Sequence, residues 1–363
     1  MTSVVTGMVG GGFYDRNSAP QWAAADLPLS WLESALAERS FKDVAPAVGI
    51  ADFGCSEGRN SLAAMRRVIG ALRTTSKRPI QTLFIDLPTN DFGRLFAALR
   101  PDGRSAFDDP AVYSAAVGGD MFDPLLPRNS VHVATTFNSV GYLSRRPVER
   151  LSNHIIANGP FLPDAKGSVS DAERAIFTDQ LDDDMRRFYR ARAAELVPGG
   201  RLLMQCFGAK DGLWAGACTY DALNDALLET IDMDIIDRDS YERYYSPVYY
   251  RTVEQLTELV SGPKAELGSL FRLDRAEDYE VPMPFEQDFR RTGDVATYAR
   301  AGVNYFRAFT EAMIRQALSG HPNLDRLIDH AFARVEQAMT DDPERFRIRF
   351  ISIAALLTRL DET

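Results

Sequence analysis

The run VGIADFGCSEGRN, Val48 to Asn60, restricts the possible fold more than any other part of the chain. An apolar, β-branched stretch ends on Asp52, turns through Gly54 and Gly58, and opens a helical pattern that continues to about Arg73. This reads as strand, tight loop and helix. Glycines let a backbone pass close to a bound molecule, and a helix N-terminus offers unpaired N–H donors beside it. QTLFIDLP, Gln81 to Pro88, adds a second strand whose acidic end, Asp86, can accept from both hydroxyls of a ribose. Together the two segments predict half of a site for a nucleoside-containing cofactor.

What the loop lacks narrows the cofactor. A dinucleotide site requires G-x-G-x-x-G to admit a pyrophosphate. Here the loop is D-F-G-C-S-E-G, and Glu57 stands where it would meet the phosphates. S-adenosyl-L-methionine carries no phosphate and ends in an ammonium, so an acidic glycine loop suits it better. A nicotinamide oxidoreductase is disfavoured on the same ground.

A formal charge of −10 leaves no broad cationic face, so neither nucleic acid nor an anionic membrane is an expected partner. Small molecules remain. Three cysteines, Cys55, Cys206 and Cys218, fit neither a disulfide framework nor a zinc site, which makes the reduced cytoplasm the simplest setting. No apolar run reaches the roughly 18 residues a membrane span requires. The first residues lack a basic region followed by a long apolar core, so neither export nor anchoring is indicated.

Along the chain, Gln21 to Arg39 shows an amphipathic helical pattern behind a Gly-rich start. Strands are predicted near 48–53, 81–86 and 130–137, with helices at 60–73 and at 90–99 after an N-cap candidate at Asn90. Strand and helix alternate, so the expected fold is α/β with a mainly parallel sheet. Residues 145–170 read as a long irregular connection, Asp171 to Leu196 as a helix, and VPGG as the stop before the core strand RLLMQCFG. Helices are further expected at 220–230, 253–260, 295–318 and 323–339, a β-like segment at GSLFRLDRAEDYEV, and a terminal strand in RFRIRFISIAALLTRL. The organisation read from this is an N-terminal lid and helix over 1–40, a cofactor-binding α/β core over 41–210, a largely helical acceptor cap over 211–345, and a strand returning to the core over 346–363.

Several segments, in order, resemble the SABATH family of S-adenosylmethionine-dependent methyltransferases. GGGFYDRNSAPQ is similar to its Y-x-x-N-S-x-x-Q, IADFGCSEGRNS to its A-D-L-G-C-S-x-G-x-N, and FIDLPTNDF to its N-D-L-P-x-N-D-F. LPRNSVHVATTFNSVGYLS resembles its F-P-x-x-S-L-H-x-x-x-S-S-x-S-L-H-W-L-S, and ELVPGGRLL its E-L-x-x-G-G-x-M. The resemblance covers about Gly10 to Thr358. It implies a Rossmann-like class I methyltransferase core with a helical cap over the acceptor site. It also implies a homodimer, S-adenosyl-L-methionine as cofactor with S-adenosyl-L-homocysteine as product, and a small-molecule carboxylic acid as acceptor.

Carried over residue by residue, the resemblance implies that Tyr14 and Ser18 close over the methionine end of the cofactor. Asp52, Gly54, Cys55 and Asn60 hold its amino-acid portion, Asp86 and Leu87 the ribose, and Asp120 and Met121 the adenine, with Asn138 at the strand end. Asp120-Met121 replaces the family's usual Ser-Phe, and an Asp can accept from the adenine amino group. Gln21 is the matching carboxylate binder, with Ser139 close to the methyl transfer. Gly141 and Tyr142 stand where the family has His or Met followed by Trp, whose indole N–H shares the carboxylate with Gln. Tyr142 offers an O–H in its place, and loss of a bulky residue at 141 is expected to enlarge the pocket. Tyr220, Tyr245, Phe306, Phe309 and Phe350 are expected to line the acceptor cavity, although core packing is the ordinary fate of such aromatics.

A carboxylate with a pKa near 4 is ionised at neutral pH and attacks a sulfonium methyl without a general base. That accounts for a chain with no Ser/His/Asp or Cys/His arrangement. His132 lies within an apolar strand and reads as a core histidine; no metal-ligand spacing is found. The expected activity is carboxyl O-methylation. A nitrogen or other oxygen acceptor, or a ligand-binding homologue without turnover, stands as the alternative.

Overall fold

The computed structural model describes residues 13–38, 41, 45–263 and 265–361, the side chains of residues 14 and 15 excepted. Its main sheet has seven strands in the order β3-β2-β1-β4-β5-β9-β8. These are β1 (Val48–Phe53), β2 (Ile80–Asp86), β3 (Val112–Gly118), β4 (Val131–Phe137), β5 (Leu196–Phe207), β8 (Phe271–Val281) and β9 (Phe350–Arg359). β6 (Ala209–Lys210) and β7 (Leu213–Trp214) form a small hairpin directly after β5. The first five strands pair in parallel, and β9 inserts antiparallel between β5 and β8. β1 and β9 are buried along their whole length, as strands covered on both faces must be.

The helices are α1 (Phe13–Asn17), α2 (Ala19–Ala37), α3 (Arg59–Arg73), α4 (Phe92–Leu99), α5 (Asp171–Glu195), α6 (Ala217–Asp232), α7 (Arg238–Arg243), α8 (Val253–Ser261), α9 (Pro284–Thr292), α10 (Val295–Ala317) and α11 (Leu324–Asp341). Alternate strand residues serve opposite faces. Ile50, Phe84 and Val133 pack with Leu32 of α2, Met65 of α3 and Leu95 of α4; Ala51, Phe53 and Ala134 pack with Phe188 of α5 and Leu256 of α8. In α3 the buried Leu62, Met65, Val68, Ile69 and Leu72 recur at the spacing of one helical face. A separate core formed by α6, α10 and α11 includes Tyr142, Trp214 of β7 and Phe350, the first residue of β9.

Two local expectations change. The N-cap of α4 is Asp91, whose Oδ1 accepts from the amide of Arg94 at 3.0 Å, and Asn90 is thereby left for another task. VPGG lies inside β5 rather than before it, as an irregularity in its register with β4, with Gly199 at φ +77°. No helix among the described residues is long and apolar enough to cross a membrane.

Candidate active site

The turn after β1 is fixed from two sides. The amides of Gly54 and Cys55 donate to the Ile85 carbonyl at 2.8 and 3.1 Å, and Asp86 Oδ2 accepts the amide of Ser56 at 2.7 Å. Asn90 Nδ2 donates to the Ser56 carbonyl at 2.9 Å. Gly54 holds φ +91°, and a Cβ there would lie 1.9 Å from Ser139 Oγ, so only glycine lets the turn after β1 meet the loop after β4.

Two carboxylates end neighbouring strands. Asp52 is 2% exposed; its Oδ1 accepts from Thr135 Oγ1 at 2.6 Å and its Oδ2 from Ser61 Oγ. Burial raises its pKa from 3.8 to about 6, against the lowering effect of those hydroxyls. Asp86 Oδ1 accepts the amide of Leu87 at 2.8 Å, and burial again raises the carboxyl above its ordinary range. The Cys55 thiol is also pushed up by burial, which makes it a poor nucleophile.

Two adjoining hollows open here. The larger, about 510 Å³, runs from Asp86, Leu87 and Asp120 past Asn138 and Ser139 to Tyr142, Tyr220 and Phe309. The smaller lies between α2 and the start of α3, bordered by Asp52, Cys55, Arg59 and Asn60. Gln21, Gly54, Ser56, Phe137 and Asn138 face both. Gln21 is 6% exposed, and its Oε1 has no hydrogen-bond partner among the described residues. Asn138, at φ +59°, accepts from Gln205 Nε2 at 3.1 Å, which fixes the strand end. Buried Ser18 accepts from Asn60 Nδ2 at 3.4 Å. Among the described residues, no Lys, Arg or His lines the larger hollow. His132 is fully buried elsewhere, its Nδ1 accepting the amide of Gly49 at 3.0 Å.

Most of the residues named from sequence therefore converge, but some do not. Tyr14 lies outside the residues whose side chains are described. Tyr245 turns away from the hollow: its ring packs edge-on to Phe177 and its hydroxyl donates to the Val148 carbonyl at 2.7 Å. Phe306 stands behind Tyr220, edge-on at 4.9 Å, and packs in the cap core. Gly141 does not enlarge the pocket. A Cβ there would lie 2.5 Å from the ring of Phe207, which fills the vacated space and itself lines the hollow.

Sequence reasoning missed Phe207, Tyr250, Tyr305 and Asn90, all of which line the larger hollow. Asn90 had a signal, its place in the motif FIDLPTNDF. Ser144 was also missed; Asp184 grips it, accepting its amide at 2.8 Å and its hydroxyl at 2.5 Å.

Carboxylates at the two strand ends, beside a loop with fewer glycines than a phosphate site needs, suit a cofactor bearing hydroxyls and an ammonium. The parallel sheet with this site at its carboxyl edge defines a class I methyltransferase core. The model of the SAM dependent carboxyl methyltransferase family matches residues 4–360. The chain belongs to this family, the SABATH group, and is an S-adenosylmethionine-dependent methyltransferase. It is 28% identical over 300 residues to the loganic acid O-methyltransferase of Catharanthus roseus, covering 77% of this chain and 76% of that one. It is 26% identical over 329 residues to the 3,7-dimethylxanthine N-methyltransferase CkTbS of Camellia sinensis var. assamica, covering 87% and 86%. The solved structure of loganic acid methyltransferase with SAH superposes with a TM-score of 0.79 at 22% identity, covering 98% of this chain and 99% of that one, which establishes the shared fold.

Proposed function

We propose that the chain methylates the carboxylate of a small organic acid, producing a methyl ester and S-adenosyl-L-homocysteine. The observation that carries this reading is the acceptor end of the larger hollow, where the described residues offer an amide, hydroxyls and aromatic surface and no Lys, Arg or His. A carboxylate arrives already ionised and has no proton to lose. A phenol would need a base to take its proton.

When bound, the cofactor supplies an electrophilic methyl on a sulfonium. Ser18, Asp52, Cys55 and Asn60 would hold its amino-acid portion, Asp86 and Leu87 its ribose, and Asp120 and Met121 its adenine. Gln21, which faces both hollows, would hold the acceptor carboxylate through its amide, with Tyr142 as the second donor. Ser139 and Asn138 fix the floor between the two guests. Tyr220, Phe309 and Phe350 would receive the acceptor's apolar body and exclude water, so that attraction between carboxylate and sulfonium acts in a low dielectric.

Incubation with methyl-labelled cofactor and a panel of carboxylic acids, phenols and purines tests the reading. Label in base-labile esters supports it. Base-stable label on nitrogen or a phenolic oxygen replaces it, and cofactor binding without label on any acceptor points to a ligand-binding protein.

A further inference from the structure

We infer that Phe207 selects the acceptor, and that its ring can stand where it does only because residue 141 is glycine. This rests on reading the larger hollow as the acceptor site. Phe207 ends β5 and faces the hollow. A Cβ at Gly141 would lie 2.5 Å from its Cε2 and Cζ and 3.2 Å from its Cδ2, so the ring occupies the volume a side chain at 141 would claim. Bulk that the related motif carries on the loop after β4 is delivered here from the neighbouring strand.

The ring is held on its other sides. Tyr142 meets it edge-on at 5.5 Å, and Tyr250 leans against it at 4.9 Å. Tyr250 is backed in turn by Trp214 at 5.0 Å. The backbone at 141 is equally fixed, because the Tyr142 amide donates to the Ser139 carbonyl at 3.1 Å and Tyr142 bridges to Val248. Close-packed surroundings do not absorb an added methyl freely. A side chain at 141 would therefore drive the Phe207 ring into the hollow. Shortening Phe207 would instead open the hollow towards Gly141 and admit a wider acid.

The test compares wild type, Phe207→Ala, Gly141→Ala and the double variant, each saturated with S-adenosyl-L-homocysteine. Calorimetry reads the affinities for benzoate and 1-naphthoate, and thermal melts confirm folding. Phe207→Ala is expected to shift the naphthoate-to-benzoate affinity ratio upward by about tenfold, the scale of shape discrimination in an apolar pocket. Gly141→Ala is expected to shift it downward, and the double variant to return to the Phe207→Ala value. Should Gly141→Ala fail to fold, the double variant still reads the coupling, since removing the ring removes the clash. An unchanged ratio across the folded variants overturns the assignment. Wild type that binds both acids and methylates neither counts against the carboxyl reading alone, while the ratio still judges Phe207. Acids bound by none of the proteins overturn both.

Discussion

Asp86 accepts the backbone amide of Ser56 at 2.7 Å, joining the end of β2 to the turn that follows β1. Ser56 is held at φ +50°, a conformation that serine adopts only when its surroundings insist. Asp86 thus sets the shape of the turn as well as offering acceptors to the hollow. Asp86→Ala is expected to weaken S-adenosyl-L-methionine binding by roughly 2 to 4 kcal/mol, the scale of a charge-assisted pair of hydrogen bonds. Calorimetric titration measures this; affinity unchanged from wild type would remove Asp86 from the cofactor site.

Asp52 makes stability depend on pH. Below its ordinary pKa of 3.8 the carboxyl is protonated in both folded and unfolded chains. Between there and about 6 the folded chain holds a proton that the unfolded chain has lost, so stability falls as pH rises; above about 6 the full cost is in place. That cost is of order 3 kcal/mol. Asp52→Asn should therefore raise the urea midpoint of the cofactor-free protein at pH 7.5, and do so less at pH 5, while weakening cofactor binding. An equal gain at both pH values would assign the effect to packing.

Gln21 is the residue expected to separate acceptor from cofactor. Gln21→Ala should lower kcat/KM for the acceptor by about 5- to 150-fold, the range spanned by one to three kcal/mol of lost hydrogen bonding. The cofactor dissociation constant should stay within about twofold. Steady-state kinetics with either substrate varied distinguish the two effects, and a cofactor constant that rises in step would place Gln21 on the wrong guest.

Carboxylate attack without a base predicts a flat rate profile. With both substrates saturating, kcat should not change between pH 7 and 9 by more than about twofold, and should show no limb near the ordinary histidine value of about 6.5. At limiting cofactor, the rate should decline below about pH 6 as Asp52 takes up its proton. A rise of kcat with a midpoint between pH 7 and 9 would reveal a base and redirect attention to a protonated acceptor.

The half of the site built on strands was legible because its chemistry follows periodicity. Apolar runs in β1, β2 and β4 end on Asp52, Asp86 and Asn138, and strand ends of a parallel sheet share one edge. The acceptor half was not legible in the same way. SYERYYSPVYYR offers five tyrosines with no period of 2 or 3.6 to say which point inward. The bridge between Tyr142 and Val248 settles it, placing Tyr250 on the hollow while Tyr245 packs against Phe177. Phe207 was overlooked because it closes an apolar strand and looks like one more core residue. Only the distance from its ring to Gly141 sets it apart from the rest of the core.

The floor that carries Asp52 and Asp86 is knit from main-chain bonds between parallel strands, whereas the rings of the opposite wall come one by one from strand ends, loops and two helices. Exchanging a ring alters what fits without loosening the knitted part. Such a scaffold can drift among guests while its donor stays seated, since trial changes on one side leave the other side's bonds intact.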